Sequence, residues 1–378
     1  MKLPNYNGGS ILNLMASIQN ALGGKSLYPE LRLLPSSKLA RKKIILMIID
    51  GLGFEYLRRK ESFLNSHIKG KITSVFPSTT AAAITTFMTG LAPQQHAVPG
   101  WFTFIKEAGE VAIVFPFTTR TSKIPLQKKG LTFSQVIDVD SISRRIRFPV
   151  IYISKSELAR SGYTRRMQFS KRIGVSNFRE FISKIRKQSN TKVRKLIIAY
   201  WPDFDAVCHK HGVESKNASQ VFQQIASGIK NLTAKLPKDC VLIITSDHGL
   251  IDAEKTILLD EHPRLKECLK LPLCGETRVV YCYVHPSKKS EFERYVKSRM
   301  QRYCQLYTSR DILSRHFFGP FKPNPKLKSR IGDYILIMKG RYAMRDILNE
   351  EEKRTKLIGN HGGVSKEEMY IPLILFQS

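Results

Sequence analysis

Lys43-Ile44-Ile45-Leu46-Met47-Ile48-Ile49, closed by Asp50-Gly51, is the stretch on which the fold turns. A short aliphatic run without polar alternation reads as a strand buried on both faces, the pattern of a parallel sheet covered by helices. The same pattern recurs at Val150-Ile151-Tyr152-Ile153, Leu196-Ile197-Ile198-Ala199-Tyr200 and Val241-Leu242-Ile243-Ile244, then at residues 279–284 and 370–376. Helical spacing lies between these runs: Phe178, Phe181, Ile182 and Ile185, then Ala218, Val221, Phe222, Ile225, Ile229, Leu232 and Leu236. Two more helices are expected, over residues 10–23 with Ser10 as cap, and over residues 78–89, stopped by Gly90. Strands alternating with helices predict an α/β chain: a three-layer α/β/α sandwich around a mostly parallel central sheet.

In such a sheet, ligands bind beyond the carboxyl ends of the strands. Asp50 stands at one such end, and Asp205 with His209 follows a second. The segment Ser246-Asp247-His248-Gly249 follows a third. An i, i+4 Asp/His pair can point at one ion from one helix face. Adjacent Asp247 and His248 both reach inward only on a sharp turn, which Gly249 permits. His361 lies in the glycine-rich Asn360-His361-Gly362-Gly363 segment before the last strand. Each piece alone has an ordinary reading as a polar turn or a solvated helix face. Pooled at one sheet edge, they read as a two-metal hydrolytic site.

The hydroxyls of Pro77-Ser78-Thr79-Thr80 precede Ala81-Ala82-Ala83, at the start of the expected helix. Free backbone N–H groups there favour a phosphate. Metal coordination is one way to activate a threonine hydroxyl as a nucleophile. Simple capping explains Ser78 or Thr79 equally well, and the residues themselves leave Thr79 and Thr80 open.

The chain has 378 residues, and its metal-type residues run from Asp50 to His361. One catalytic domain over 1–378 is therefore expected, with residues 250–359 inserted as a cap-like subdomain, because that stretch is too long for a loop. Lys and Arg number 62 against 31 Asp and Glu, a formal charge of +31. Such a charge suits the steering of anionic substrates, and a basic bias across the source organism's proteins explains it equally well. The basic residues are dispersed in groups such as Arg41-Lys42-Lys43 and Arg58-Arg59-Lys60, so nucleic acid is a weakly supported partner. The six cysteines show no CxxC pair, and reduced thiols are expected. The longest apolar run near the N-terminus falls far short of the ~20 residues of a membrane span. No membrane segment and a cytoplasmic location follow as expectations, while the oligomeric state stays open.

The segments, in this order, resemble the alkaline phosphatase superfamily, and within it the type I phosphodiesterase/nucleotide pyrophosphatase family. Ile48-Ile49-Asp50-Gly51 is similar to that family's first metal-binding strand end. Phe76-Pro77-Ser78-Thr79-Thr80 through Met88-Thr89-Gly90-Leu91-Ala92-Pro93, with His96, is similar to its nucleophile helix. Counting back from Thr89-Gly90 places the nucleophile at Thr80. Asp205 to His209 with His211-Gly212, then Ser246-Asp247-His248-Gly249 and His361-Gly362-Gly363, complete the pattern, from about Lys43 to the C-terminus.

The resemblance implies that Asp205, His209 and His361 hold one ion, and that Asp50, Asp247 and His248 hold the other, bridged by Thr80. Carboxylate and imidazole ligands suit Zn²⁺ and admit Mn²⁺. It also implies two divalent ions about 3.5–4 Å apart that act on a phosphoryl group. The implied activity is hydrolysis of phosphodiester or pyrophosphate bonds, nucleotides first among substrates, through a phospho-threonine. The alternatives are a phosphomonoesterase, phosphomutase or phosphonate hydrolase of the same superfamily, or a basic nucleic-acid-binding protein without turnover. One departure stands out: Ala83 occupies a position where an asparagine would bind a phosphoryl oxygen, a donor worth about 2.7–4 kcal/mol. Trp101 could offer a face for stacking on a base, although a core aromatic is the simpler reading. No Cys-x-Pro-x-Arg motif of the sulfatase kind occurs.

Overall fold

The computed structural model describes residues 1–377. Its central sheet has seven strands in the order Ile68–Thr73, Tyr370–Gln377, Cys240–Thr245, Lys43–Ile49, Leu196–Trp201, Val150–Lys155 and Lys171–Val175. The strands Lys43–Ile49, Leu196–Trp201, Cys240–Thr245, Val150–Lys155 and Lys171–Val175 pair in parallel, and Tyr370–Gln377 enters antiparallel. The expected mostly parallel sheet is present.

The three layers follow from the alternation within each strand. Ile44, Leu46 and Ile48 join one apolar cluster together with Leu196, Ile198, Val241 and Ile243. Ile45, Met47 and Ile49 join the other, with Ile197, Ala199, Leu242 and Ile244. Helices Ile11–Ala21 and Thr80–Thr89 cover the first face. Asp203–His211, Phe178–Ser189 and Lys216–Thr233 cover the second. All six residues from Ile44 to Ile49 have no exposed surface, so truncating any of them to alanine costs about 2–5 kcal/mol.

A second, fully antiparallel seven-stranded sheet stands beside the first. Its order is Cys304–Thr308, Tyr334–Met338, Val279–Cys282, Cys274–Gly275, Phe102–Ile105, Glu110–Ile113 and Thr118–Thr119. The run at 279–284, read from its sequence like the core strands, thus belongs to this sheet. Residues 250–359 supply four of its strands and residues 102–119 the other three. The ends of the 250–359 stretch are pinned together by the pairing of Ile251–Asp252 with Gly359–Asn360. The two contributions meet where Gly275 pairs with Phe102. Gly275 has φ +84°, and a Cβ there would lie 2.5 Å from the Val279 carbonyl, so only glycine fits.

Candidate active site

Three neighbouring parallel strands end side by side. Ile48 is in register with Tyr200 on one flank and with Thr245 on the other. Asp50, Asp205 and Asp247 follow these ends, at the carboxyl edge of the sheet. Gly51, at φ +74°, turns the chain away, and a Cβ on it would stand 3.0 Å from that of Asp205. That closeness is what lets the carboxylates converge.

Each site carboxylate, and two of the three histidines, have one atom held by the protein. Asp50 Oδ2 accepts a short hydrogen bond from the Tyr200 hydroxyl. Asp247 Oδ1 accepts from the backbone N–H of Gly51 (3.1 Å) and of His248 (3.0 Å). Asp205 Oδ2 lies 3.2 Å from His209 Nε2, one helical turn on in Asp203–His211. His209 Nδ1 donates to the Gly359 carbonyl (2.7 Å) and His248 Nδ1 to that of Gly249 (3.1 Å). Those carbonyls only accept, so both rings must carry a proton on Nδ1 and leave Nε2 for the site.

The other oxygen of each carboxylate is orphaned, and so is one ring nitrogen of His361. Asp50 Oδ1, Asp205 Oδ1, Asp247 Oδ2 and His361 Nδ1 are buried without any hydrogen-bond partner. Burying unpaired carboxylate oxygens is costly, and native proteins arrange it where a cation is bound. Ligand atoms of Asp50, Asp247 and His248 lie within 4.8 Å of one another, and so do those of Asp205, His248 and His361. The residues fit divalent metal ions. His248 belongs to both groups, whereas the resemblance assigned His209 beside Asp205 and His361. The His209 ring stands 5.0 Å from that of His361, and the His248 ring stacks on His361 at 3.9 Å.

The electrostatics match crowded acids. Burial, then the charges of Asp247 and Asp205, push the Asp50 carboxyl well above the usual range. Burial acts the same way on Asp205, but the His209 charge overrides it and holds that carboxyl low. Burial would depress His209, yet Asp205 lifts it to about 9. Burial and the neighbouring His248 drive His361 far down.

Thr80 and Thr79 diverge. Thr79 is the fully buried N-cap of the helix Thr80–Thr89, and its hydroxyl donates to Glu276 Oε1 at 2.6 Å. Thr80, the first helical residue, is half-buried, and its Oγ1 lies 3.0 Å from His248 Nε2. The first-turn N–H groups of this helix are left over by its own hydrogen bonding. Ser78 Oγ ties the helix start to the His361 loop by donating to the Gly363 carbonyl at 2.7 Å. All seven expected residues (Asp50, Thr80, Asp205, His209, Asp247, His248, His361) therefore gather in one place. Ala83 is buried inside the helix. His96 is a core residue: its Nδ1 accepts from the Val98 N–H, and its Nε2 pairs with Thr86 Oγ1. His211 is exposed.

A cavity of about 900 Å³ opens over this cluster, and Trp101, Phe115 and Tyr163 line it together with Thr80. Tyr200 and Glu276, also on its wall, were not singled out from the sequence. Tyr200 lay hidden inside an apolar strand, and Glu276 stands in no motif.

The type I phosphodiesterase/nucleotide pyrophosphatase family matches residues 44–364. The chain belongs to that family. It is an enzyme of the metal-dependent phosphoester-hydrolysing kind. No curated protein matches it. Among solved structures, human ectonucleotide pyrophosphatase/phosphodiesterase 5 is 20% identical, with 89% of this chain and 88% of that one covered and a TM-score of 0.66. The murine counterpart, in an inactive form in complex with AMP, is 19% identical over 88% and 87%, with a TM-score of 0.65. Phosphonoacetate hydrolase from Sinorhizobium meliloti 1021, in complex with phosphonoformate, is 15% identical over 89% and 90%, with a TM-score of 0.62. At such identities these likenesses establish the shared fold. Among the described residues, no helix is long and apolar enough to cross a membrane.

Proposed function

We propose that this family member hydrolyses phosphodiester or pyrophosphate bonds of nucleotide-type substrates, with Thr80 as nucleophile. The observation that carries the reading is the Thr80 hydroxyl, 3.0 Å from His248 Nε2 and facing a cluster of orphaned buried carboxylate oxygens. Asp50, Asp247 and His248 would hold one ion, and Asp205, His209 and His361 the other. Zn²⁺ is the first choice for these ligands and Mn²⁺ the second. Bound there, such ions supply positive charge that favours the threonine alkoxide and offsets charge on the phosphoryl group.

The chain's own residues do the rest. The Thr80 oxygen forms a bond to phosphorus while the bond to the departing alcohol or phosphate breaks. The leftover N–H groups at the helix start face the phosphoryl oxygens. Water then attacks the same phosphorus and releases Thr80. Tyr200, Gly51 and Gly359 hold the site carboxylates and rings in place through the hydrogen bonds described above.

Nucleotides lead the substrate classes because Trp101, Phe115 and Tyr163 offer apolar faces in the cavity. The AMP complex of the murine relative supports the same class. The formal charge of +31 would draw such anions in. All six cysteines are buried free thiols, which supports a reducing, cytoplasmic setting.

The test is a panel of chromogenic phosphate esters assayed on metal-stripped protein with Zn²⁺, Mn²⁺ or Mg²⁺ restored. The reading expects bis-aryl or nucleotide diesters to exceed p-nitrophenyl phosphate in kcat/KM. A clear preference for the monoester overturns the substrate class. Salt-dependent retention of DNA without turnover would favour a binding protein instead.

A further inference from the structure

Among the acids of the cavity wall outside the ligand set, Glu276 is the one hydrogen-bonded to the start of the Thr80 helix. Glu276 sits between the strands Cys274–Gly275 and Val279–Cys282, on the second sheet. Its Oε1 accepts from Thr79 Oγ1 at 2.6 Å and from the Trp101 backbone N–H at 2.7 Å. A Cβ placed on Gly362, next to His361, would stand 2.7 Å from that of Glu276. The carboxyl is therefore wedged between the start of the Thr80 helix and the His361 loop, and it feels the charges of His209 and Asp205.

Among the described residues, no lysine or arginine pairs with Glu276. The basic residues of the same cavity are engaged elsewhere. Arg120 pairs with Asp346 (2.6 Å) and Glu352 (2.9 Å), and Lys123 with Glu351 (3.2 Å). Arg345 donates to the carbonyls of Thr355 (2.8 Å) and Glu352 (3.1 Å).

We propose that Glu276 is a specificity-determining residue that repels dianionic phosphate monoesters and so reserves the site for monoanionic diesters. The inference rests on the reading of Thr80 as the phosphoryl acceptor. A monoester differs from a diester by one further charged oxygen in place of a neutral ester oxygen. A fixed carboxylate beside the acceptor meets that extra charge with like charge, whereas an ester oxygen and its organic group meet no such penalty. Discrimination by a built-in repulsive group is a general route to specificity. Burial pushes the Glu276 carboxyl up to about 7, against the hydrogen bonds from Thr79 and Trp101 that lower it. An assay at about pH 9 therefore tests the charged form.

Glu276→Gln keeps the shape, and its Oε1 still accepts from Thr79 and Trp101. With metals restored, kcat/KM is measured at that pH for bis(p-nitrophenyl) phosphate and for p-nitrophenyl phosphate. The diester-to-monoester ratio should fall by about tenfold through a gain on the monoester, and inhibition by inorganic phosphate should tighten by a similar factor. Thr79→Val, which removes a hydrogen bond but keeps the carboxylate, should hold the ratio. Should Gln fold poorly, Glu276→Ala removes the same charge and must shift the ratio in the same direction. Equal losses on both substrates, with a ratio constant to within about twofold, overturn the inference and leave Glu276 a positioning residue. If the wild-type protein itself favours the monoester, the proposed function fails; if it favours the diester and Gln leaves the ratio alone, only this inference falls.

Discussion

Thr80 Oγ1 lies 3.0 Å from His248 Nε2, although 168 positions separate them in the chain. The contact joins the start of a helix to a strand-end turn, and it sets Thr80 apart from Thr79, whose hydroxyl is committed to Glu276. Thr80→Ala should lose several orders of magnitude in kcat while keeping its metal content. Thr79→Ala should lose far less on the diester. Steady-state rates beside elemental analysis check both, and a dead Thr79→Ala with an active Thr80→Ala would reverse the assignment.

Asp247→Asn exchanges an orphaned carboxylate oxygen for a neutral amide group, and His361→Ala removes an orphaned ring nitrogen. Both variants should fold, bind less metal and show no measurable turnover. Circular dichroism and metal analysis separate this outcome from unfolding. Full occupancy with normal rates would remove these residues from the site.

Tyr200 acts one step further out, because its hydroxyl holds Asp50 Oδ2 and leaves Oδ1 for the cluster. Tyr200→Phe should weaken metal binding by about 10–100-fold, the usual effect of losing a hydrogen bond that orients a ligand. Competition against a chelator measures it, and unchanged affinity would make the contact incidental.

The Arg278–Glu368 pair is buried on both sides, with side chains 1% and 0% exposed. Glu368 Oε1 accepts from the Gly363 N–H at 2.7 Å, and its carbonyl accepts from the Gly249 N–H at 2.8 Å. One residue thus braces both the His361 loop and the His248 turn. Glu368→Gln strands a buried guanidinium and should cost about 3–5 kcal/mol. Burial alone would raise the Glu368 carboxyl, but Arg278 holds it below its ordinary 4.5. A depressed carboxylate stabilises the fold above its unfolded pKa, and that advantage is lost as pH falls through the lower, folded value. The stability gap between wild type and Glu368→Gln should therefore be full at neutral pH and shrink below about pH 4.5. A gap that widens on acidification would contradict the assignment.

How much of this was legible follows from where each signal is written. Asp50, Asp205 and Asp247 could be pooled because unbroken apolar runs deliver them to one sheet edge, and buried parallel strands advertise themselves that way. The second sheet was hidden. Phe102–Ile105 and Cys274–Gly275 are too short to show a period, and Gly275 meets Phe102 across a separation no local pattern encodes. The edge strand Ile68–Thr73, with Gly70 and two lysines inside it, lacks the unbroken apolar run of the core strands. The choice between Thr79 and Thr80 depends on which residue caps the helix, and both hydroxyls suit a cap. His248 lies between the two carboxylate groups because of its ring orientation, which composition and spacing do not carry. Glu368 had a signal in the Ser365-x-x-Glu368 capping box, yet its bond to Arg278 is a long-range fact.

The central claim is a covalent step at Thr80, and trapping that step tests it most directly. Metal-replete protein mixed with bis(p-nitrophenyl) phosphate and quenched in acid within the first turnover is digested and read by mass spectrometry. The account predicts an aryl phosphoryl adduct on the peptide containing Thr80, absent from Thr80→Ala and from metal-stripped protein. An adduct that persists in Thr80→Ala, or hydrolysis of the diester at full rate by that variant, would contradict it.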